Sequence, residues 1–126
     1  MSLVFDTPIL IDLLRNDPSA LEYVRSVREV PTCSELTRVE VFRGLRSAER
    51  TTAEQLFQSM RWVPVDEPIA RRAGELGRRW DRHRPGISLA DLVIAATVEQ
   101  VGAEFATTNV RQFPMFAKLQ PPYASD

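Results

Sequence analysis

"LVFDTPILIDLL", residues 3 to 14, decides the fold. It begins with the apolar run Leu3 to Phe5, short enough and rich enough in β-formers for a buried strand. Asp6, Thr7 and Pro8 come next, and then apolar residues resume through "PILIDLLRN", a good helix with Pro8 near its start. A strand that passes into a helix across a single carboxylate is the opening of an α/β unit. It leaves Asp6 at the end of an otherwise buried run.

The same alternation continues outward. Further β-type runs stand at "EVPTC" (29 to 33), "RWVPV" (61 to 65) and "EFATT" (104 to 108), separated by segments long enough for one or two helices. That order predicts an α/β fold with a mainly parallel sheet of four or five strands. "PSALEYVRSVR" reads as a second helix, capped by Asp17 with Pro18 in first position. "SELTRVEVFRGLRS" and "TAEQLFQSM" read as a helical hairpin. From Glu67 to about Arg84 the residues Ile69, Ala73, Leu76 and Trp80 recur at helical spacing. Past Gly86, Ser88 can cap "LADLVIAATVEQVG", whose run from Leu92 to Val101 is apolar nearly all round and should be central. The tail predicts one turn of helix and a last short strand at Ala117 to Gln120.

The totals are consistent with one domain over residues 1–126. A chain of 126 residues, 44% hydrophobic, can build one full core, and no Gly/Ser linker or internal repeat divides it. The first residues carry no basic leader, and no apolar run approaches the roughly 20 residues of a membrane-spanning helix. Cys33 has no second cysteine to pair with and no Cys or His neighbour at metal-ligand spacing, so the reading is a cytoplasmic protein. The formal charge of -1 makes no global case for nucleic acid. Fifteen of the 16 basic residues are Arg, six of them between Arg71 and Arg84, a segment that reads first as a solvated helix face.

The informative pattern is where this architecture puts its acids. In a parallel sheet, residues just past the C-terminal ends of the strands gather along one edge, where α/β ligands bind. Asp6 stands just past the first strand and Asn109 just past the fourth. Glu40 lies in the helix after the second, between Val39 and Val41, where an inward carboxylate is costly without a partner. Asp91 opens the most apolar helix. Oxygen ligands without His or Cys suit Mg²⁺ or Mn²⁺, and three carboxylates brought close repel one another unless a divalent cation lies between them. The chemistry implied is metal-assisted phosphodiester hydrolysis.

Each residue also has a plain structural explanation. Asp6 can cap the first helix, Asp91 stands where a capping-box acid comes after Ser88, and Asn109 fits the start of "VRQF". A helix N-terminus still keeps a carboxylate ionised for a cation. Glu40 has no capping role, although it can face solvent or pair with Arg43 or Arg46. Glu35 and Asp12 read as surface groups, Asp66 and Glu67 as the start of the arginine-rich helix, Cys33 as a small buried residue and His83 as a solvated one.

In that order and at those separations, "LVFDTPILIDLL", "LTRVEVFRGL", "GISLADLVIAATVEQVG" and "FATTNVRQF" resemble the four acidic blocks of PIN-domain ribonucleases, and among them the VapC toxins of bacterial toxin-antitoxin pairs. The resemblance spans Leu3 to about Phe113 and implies a PIN-like three-layer α/β/α sandwich. It implies Asp6, Glu40 and Asp91 as the acidic core of a Mg²⁺ or Mn²⁺ site, Asn109 in the fourth position, and Thr7 and Thr107 in support. It implies, further, an endoribonuclease that cuts tRNA or ribosomal RNA to stop translation, forms a homodimer and is silenced by a VapB-type antitoxin. Two positions depart from the pattern. Pro8 stands where a small polar residue is usual, which removes a hydroxyl and a backbone donor. Thr108 stands where Arg is common.

Other classes fit less well. A haloacid-dehalogenase-type phosphatase needs a second acid at position 8, a P-loop or Rossmann site needs a Gly-rich first turn, and a receiver domain needs paired early acids. The competing reading is a PIN-like protein with weak or lost nuclease activity that acts by binding RNA or antitoxin.

Overall fold

The computed structural model of the protein describes residues 2–82 and 85–124. Its strands are β1 (Leu3–Phe5), β2 (Thr32–Ser34), β3 (Arg61–Val63) and β4 (Glu104–Ala106), and its α-helices are α1 (Thr7–Leu14), α2 (Pro18–Ser26), α3 (Glu35–Gly44), α4 (Arg50–Gln58), α5 (Glu67–Trp80) and α6 (Leu89–Val101). The strands form one sheet in the order β3-β2-β1-β4, and every pairing is parallel. This is the expected three-layer α/β/α sandwich, with four strands.

Side-chain alternation along the strands sorts the core into two layers. Leu3, Phe5, Cys33 and Ala106 face one side, where they pack with Ile9, Leu10 and Leu13 of α1, Ala20 of α2, and Ala53 and Phe57 of α4. Val63 and Phe105 face the other, against Ile69, Ala73 and Leu76 of α5 and Val93 to Ala96 of α6. The stripe expected on α5 is therefore the buried one, with Trp80 partly buried at its end. Six consecutive residues of α6, Val93 to Val98, are buried, as its all-round apolar sequence requires.

The helix boundaries obey local chemistry. Asp17 accepts from Ala20 N–H at 2.9 Å, Asp66 from Ile69 N–H at 3.1 Å and Ser88 from Asp91 N–H at 3.0 Å. Gly102 ends α6 at φ 64°, a left-handed conformation that a side chain would resist.

The tail departs from expectation. Residues 110–112 form one 3₁₀ turn, but 117–120 do not form a strand. Lys118 sits at φ 64°, which breaks an extended run, and Leu119 instead tucks against the α5/α6 core. Phe105, Phe113 and Phe116 close this end, with Phe105 4.7 Å from Phe113 and 5.5 Å from Phe116 between ring centroids.

Candidate active site

Because all four strands run parallel, the chain leaves each at the same edge. Asp6 leaves β1 there. It is 2% exposed, its backbone N–H donates to Ala106 O on β4, and one carboxylate oxygen caps α1 by accepting from Thr7 N–H at 2.9 Å. Pro8 offers no N–H to this cap. The second oxygen accepts from the Thr107 hydroxyl at 2.6 Å, and that hydroxyl in turn accepts from Asn109 N–H at 2.9 Å.

Glu40 lies in the second turn of α3 and is half-buried. The Thr7 hydroxyl reaches its Oε1 at 2.6 Å, so the carboxylate turns toward the end of β1 and pairs with neither Arg43 nor Arg46 among the described residues. Asp91 sits in the first turn of α6, half-buried, its backbone held by Ser88.

These three acids share one electrostatic environment. The Asp6 carboxyl is raised from 3.8 to about 6: burial raises it most, the bonds from Thr107 and Thr7 oppose that, and the charges of Asp91 and Glu40 add to it. Burial also raises Asp91; the Ser88 hydroxyl opposes that shift and Glu40 adds to it. Asp6, Glu40 and Asp91, from three separate elements of the chain, therefore lie within Coulombic reach of one another. They are not drawn into a tight cage: among the described residues no group of three His, Cys, Asp or Glu side chains stands at metal-holding distances. The chemistry of the donors nevertheless suits a hard divalent cation, because all are carboxylate oxygens and their neighbours' negative charge raises Asp6 and Asp91.

Asn109 is less engaged. It is exposed, at the start of the 110–112 turn, and its side chain makes no capping bond. Its contribution to the hydrogen-bond network is the backbone N–H that orients Thr107. The lesser acids fall away from the site: Glu35 pairs with Arg38 at 2.6 Å, and Asp12 accepts from Tyr123 at 2.8 Å. Cys33 is wholly buried, its thiol pushed up to about 12 and thus inert. His83 and Arg84 lie outside the described residues. Thr37 is a residue of the site that sequence reasoning missed. Its buried hydroxyl lies 3.1 Å from that of Thr7, and its place three residues before Glu40, on one helix face, was the available signal.

Beside the first turn of α6 runs an open groove of about 640 Å³, lined by Leu36, Val65, Gly77, Arg78, Arg82 and Leu89. Arg71 and Arg72 are paired with Glu67 and Glu99, whereas Arg78 and Arg82 form no ion pair among the described residues.

The family model described as "PIN domain" matches residues 3–119. The chain belongs to the PIN-domain family. Among PIN-domain relatives it is 43% identical over 124 residues to ribonuclease VapC19 of Mycobacterium tuberculosis, covering 95% of this chain and 98% of that one. To ribonuclease VapC10 of the same organism it is 39% identical, covering 97% and 93%. Its PIN fold also superposes on a toxin-antitoxin complex from Klebsiella pneumoniae with a TM-score of 0.79, at 26% identity and covering 98% of this chain and 100% of that one.

Proposed function

We propose that this protein is a VapC-type toxin, a Mg²⁺- or Mn²⁺-dependent endoribonuclease of the cytoplasm that cuts tRNA or ribosomal RNA and so inhibits translation. The observation that carries the reading is the convergence of Asp6, Glu40 and Asp91 at one sheet edge, close enough that the charges of Glu40 and Asp91 raise Asp6 and that of Glu40 raises Asp91. The similarity to two proteins named as ribonucleases supports the reaction class.

Asp6, Glu40 and Asp91 would hold the cation. When bound, the cation supplies neutralisation of charge at the phosphodiester and a water acidic enough to attack phosphorus. The remaining work belongs to this chain. Thr107 and Thr7 each direct a hydroxyl proton at a carboxylate, which opposes the burial penalty on Asp6 and aims both Asp6 and Glu40. Asn109 orients Thr107 through its backbone and leaves its amide free to meet the substrate. Arg78 and Arg82 stand along the groove next to α6, where guanidinium groups would grip the phosphates of the flanking strand.

The partner proposed is a VapB-type antitoxin, and the assembly a homodimer. The complex from Klebsiella pneumoniae supports the antitoxin. So do Val39 and Phe42, large apolar side chains 58% and 37% exposed on either side of Glu40, which a partner would cover.

Controlled expression in a bacterial host tests the reading. Wild type should arrest growth and create one dominant new 5′ end in a stable RNA, and Asp91→Asn should do neither. Arrest by both, without new ends, would favour an RNA- or antitoxin-binding protein that lacks nuclease activity.

A further inference from the structure

We propose that Thr37 is a positioning residue that aims Glu40 through Thr7; the inference rests on the metal-nuclease reading above. Thr37 is fully buried on α3, and its Oγ1 lies 3.1 Å from Thr7 Oγ1. Thr7 Oγ1 lies 2.6 Å from Glu40 Oε1. Thr7 has one hydroxyl proton, and of its two contacts the one to Glu40 is shorter by half an ångström (2.6 against 3.1 Å), so that proton lies in the contact to Glu40. With that proton committed, the contact at 3.1 Å takes its proton from Thr37, so we infer that Thr37 donates and Thr7 accepts.

The direction matters because Thr7 joins two acids. Its backbone N–H holds Asp6 and its hydroxyl holds Glu40. A threonine side chain can exchange its methyl and hydroxyl by a rotation about χ1. The proton from Thr37 selects the rotamer that points the Thr7 hydroxyl at Glu40. Without it, nothing on α3 favours that rotamer except Glu40 itself, a half-buried side chain with three torsions and open solvent on one side.

Thr97 shows what a structural threonine does in this protein. It is equally buried in a helix, and its hydroxyl bonds the carbonyl of Val93, one turn back, at 2.8 Å. Thr37 sends its hydroxyl out of its own helix to the first residue of α1. Valine would fill the same space, so packing alone does not call for a hydroxyl there.

The test compares Thr37→Val, which keeps the shape and loses the hydroxyl, with Thr37→Ser, which keeps the hydroxyl and loses a methyl. Two readouts are taken: the Mn²⁺ concentration giving half-maximal thermal stabilisation, and the initial rate of total-RNA cleavage at saturating Mn²⁺. Loss of an outer partner of a metal site typically costs 10- to 100-fold, so Thr37→Val should need about tenfold more Mn²⁺ and cleave about tenfold more slowly, with Thr37→Ser within about twofold of wild type. A residue that only packs gives the opposite order, Ser worse than Val, and that order overturns the inference. Should Thr37→Val fail to fold, Thr37→Ala against Thr37→Ser repeats the comparison without added bulk. Wild type that responds to Mn²⁺ and cuts RNA, with Thr37→Val identical to it, refutes Thr37 alone. Wild type that does neither refutes the metal-nuclease reading, and the inference falls with it.

Discussion

Asp6→Asn should make the metal-free protein more stable, and by an amount that depends on pH. The Asp6 carboxyl titrates at about 6 in the folded chain, against 3.8 for the unfolded reference. The folded state therefore holds this proton more tightly than the unfolded state, and protonation favours folding. That contribution is fully present below pH 3.8 and is lost as pH rises through about 6. Two pKa units correspond to about 3 kcal/mol, so wild type should lose up to about that much stability across the window, while asparagine, which does not titrate, loses none. The amide can still accept from Thr7 N–H or the Thr107 hydroxyl, and any bond it forms less well adds a constant offset. The diagnostic is thus the slope. Urea denaturation in excess chelator, monitored by the fluorescence of Trp62 and Trp80, should show the stability advantage of Asp6→Asn growing from about pH 4 to about pH 7 and then levelling. A difference that stays flat across that range would refute the buried, high-pKa carboxylate on which the reasoning stands.

The same geometry fixes three further outcomes. Glu40→Gln and Asp91→Asn should each reduce RNA cleavage at least 100-fold in a gel assay while leaving the far-ultraviolet circular dichroism unchanged, since both side chains are half-buried and only one charge is removed. Thr107→Val deletes the donor to Asp6 and should cost about 1 to 3 kcal/mol in urea at neutral pH, with the apparent Asp6 pKa moving further up in a chemical-shift titration. Ile94→Ala empties a fully buried site under the sheet and should cost about 2 to 5 kcal/mol by the same denaturation, without changing the pH dependence assigned to Asp6.

Much of the fold is legible in the chain because its signals are local. The order of strands and helices, the caps at Asp17 and Ser88, the buried stripe of α5 and the central place of α6 all arise from apolar spacing and helix-terminal chemistry. The exception lies at Ala117 to Gln120. Its composition permits a strand, but the left-handed turn at Lys118 and the docking of Leu119 depend on a core built by distant residues.

For the candidate site the division is similar. Residue type and position bring Asp6, Glu40, Asp91 and Asn109 forward, since a parallel sheet delivers the residues past its strand ends to one edge. How the acids are held could not be read that way. Thr107 is 101 residues from Asp6, and Thr7 is 33 from Glu40, and nothing in the sequence says that these pairs touch. The side chain of Asn109 lies outside the coupled group, and Thr37 lies next to it. By itself the sequence determined which side chains are available and at which edge, because strand order and helix caps are set by near neighbours. Only the tertiary structure decided which hydroxyl serves which carboxylate and how far burial raises Asp6, because hydrogen bonding and desolvation depend on atoms that the chain brings together only when it folds.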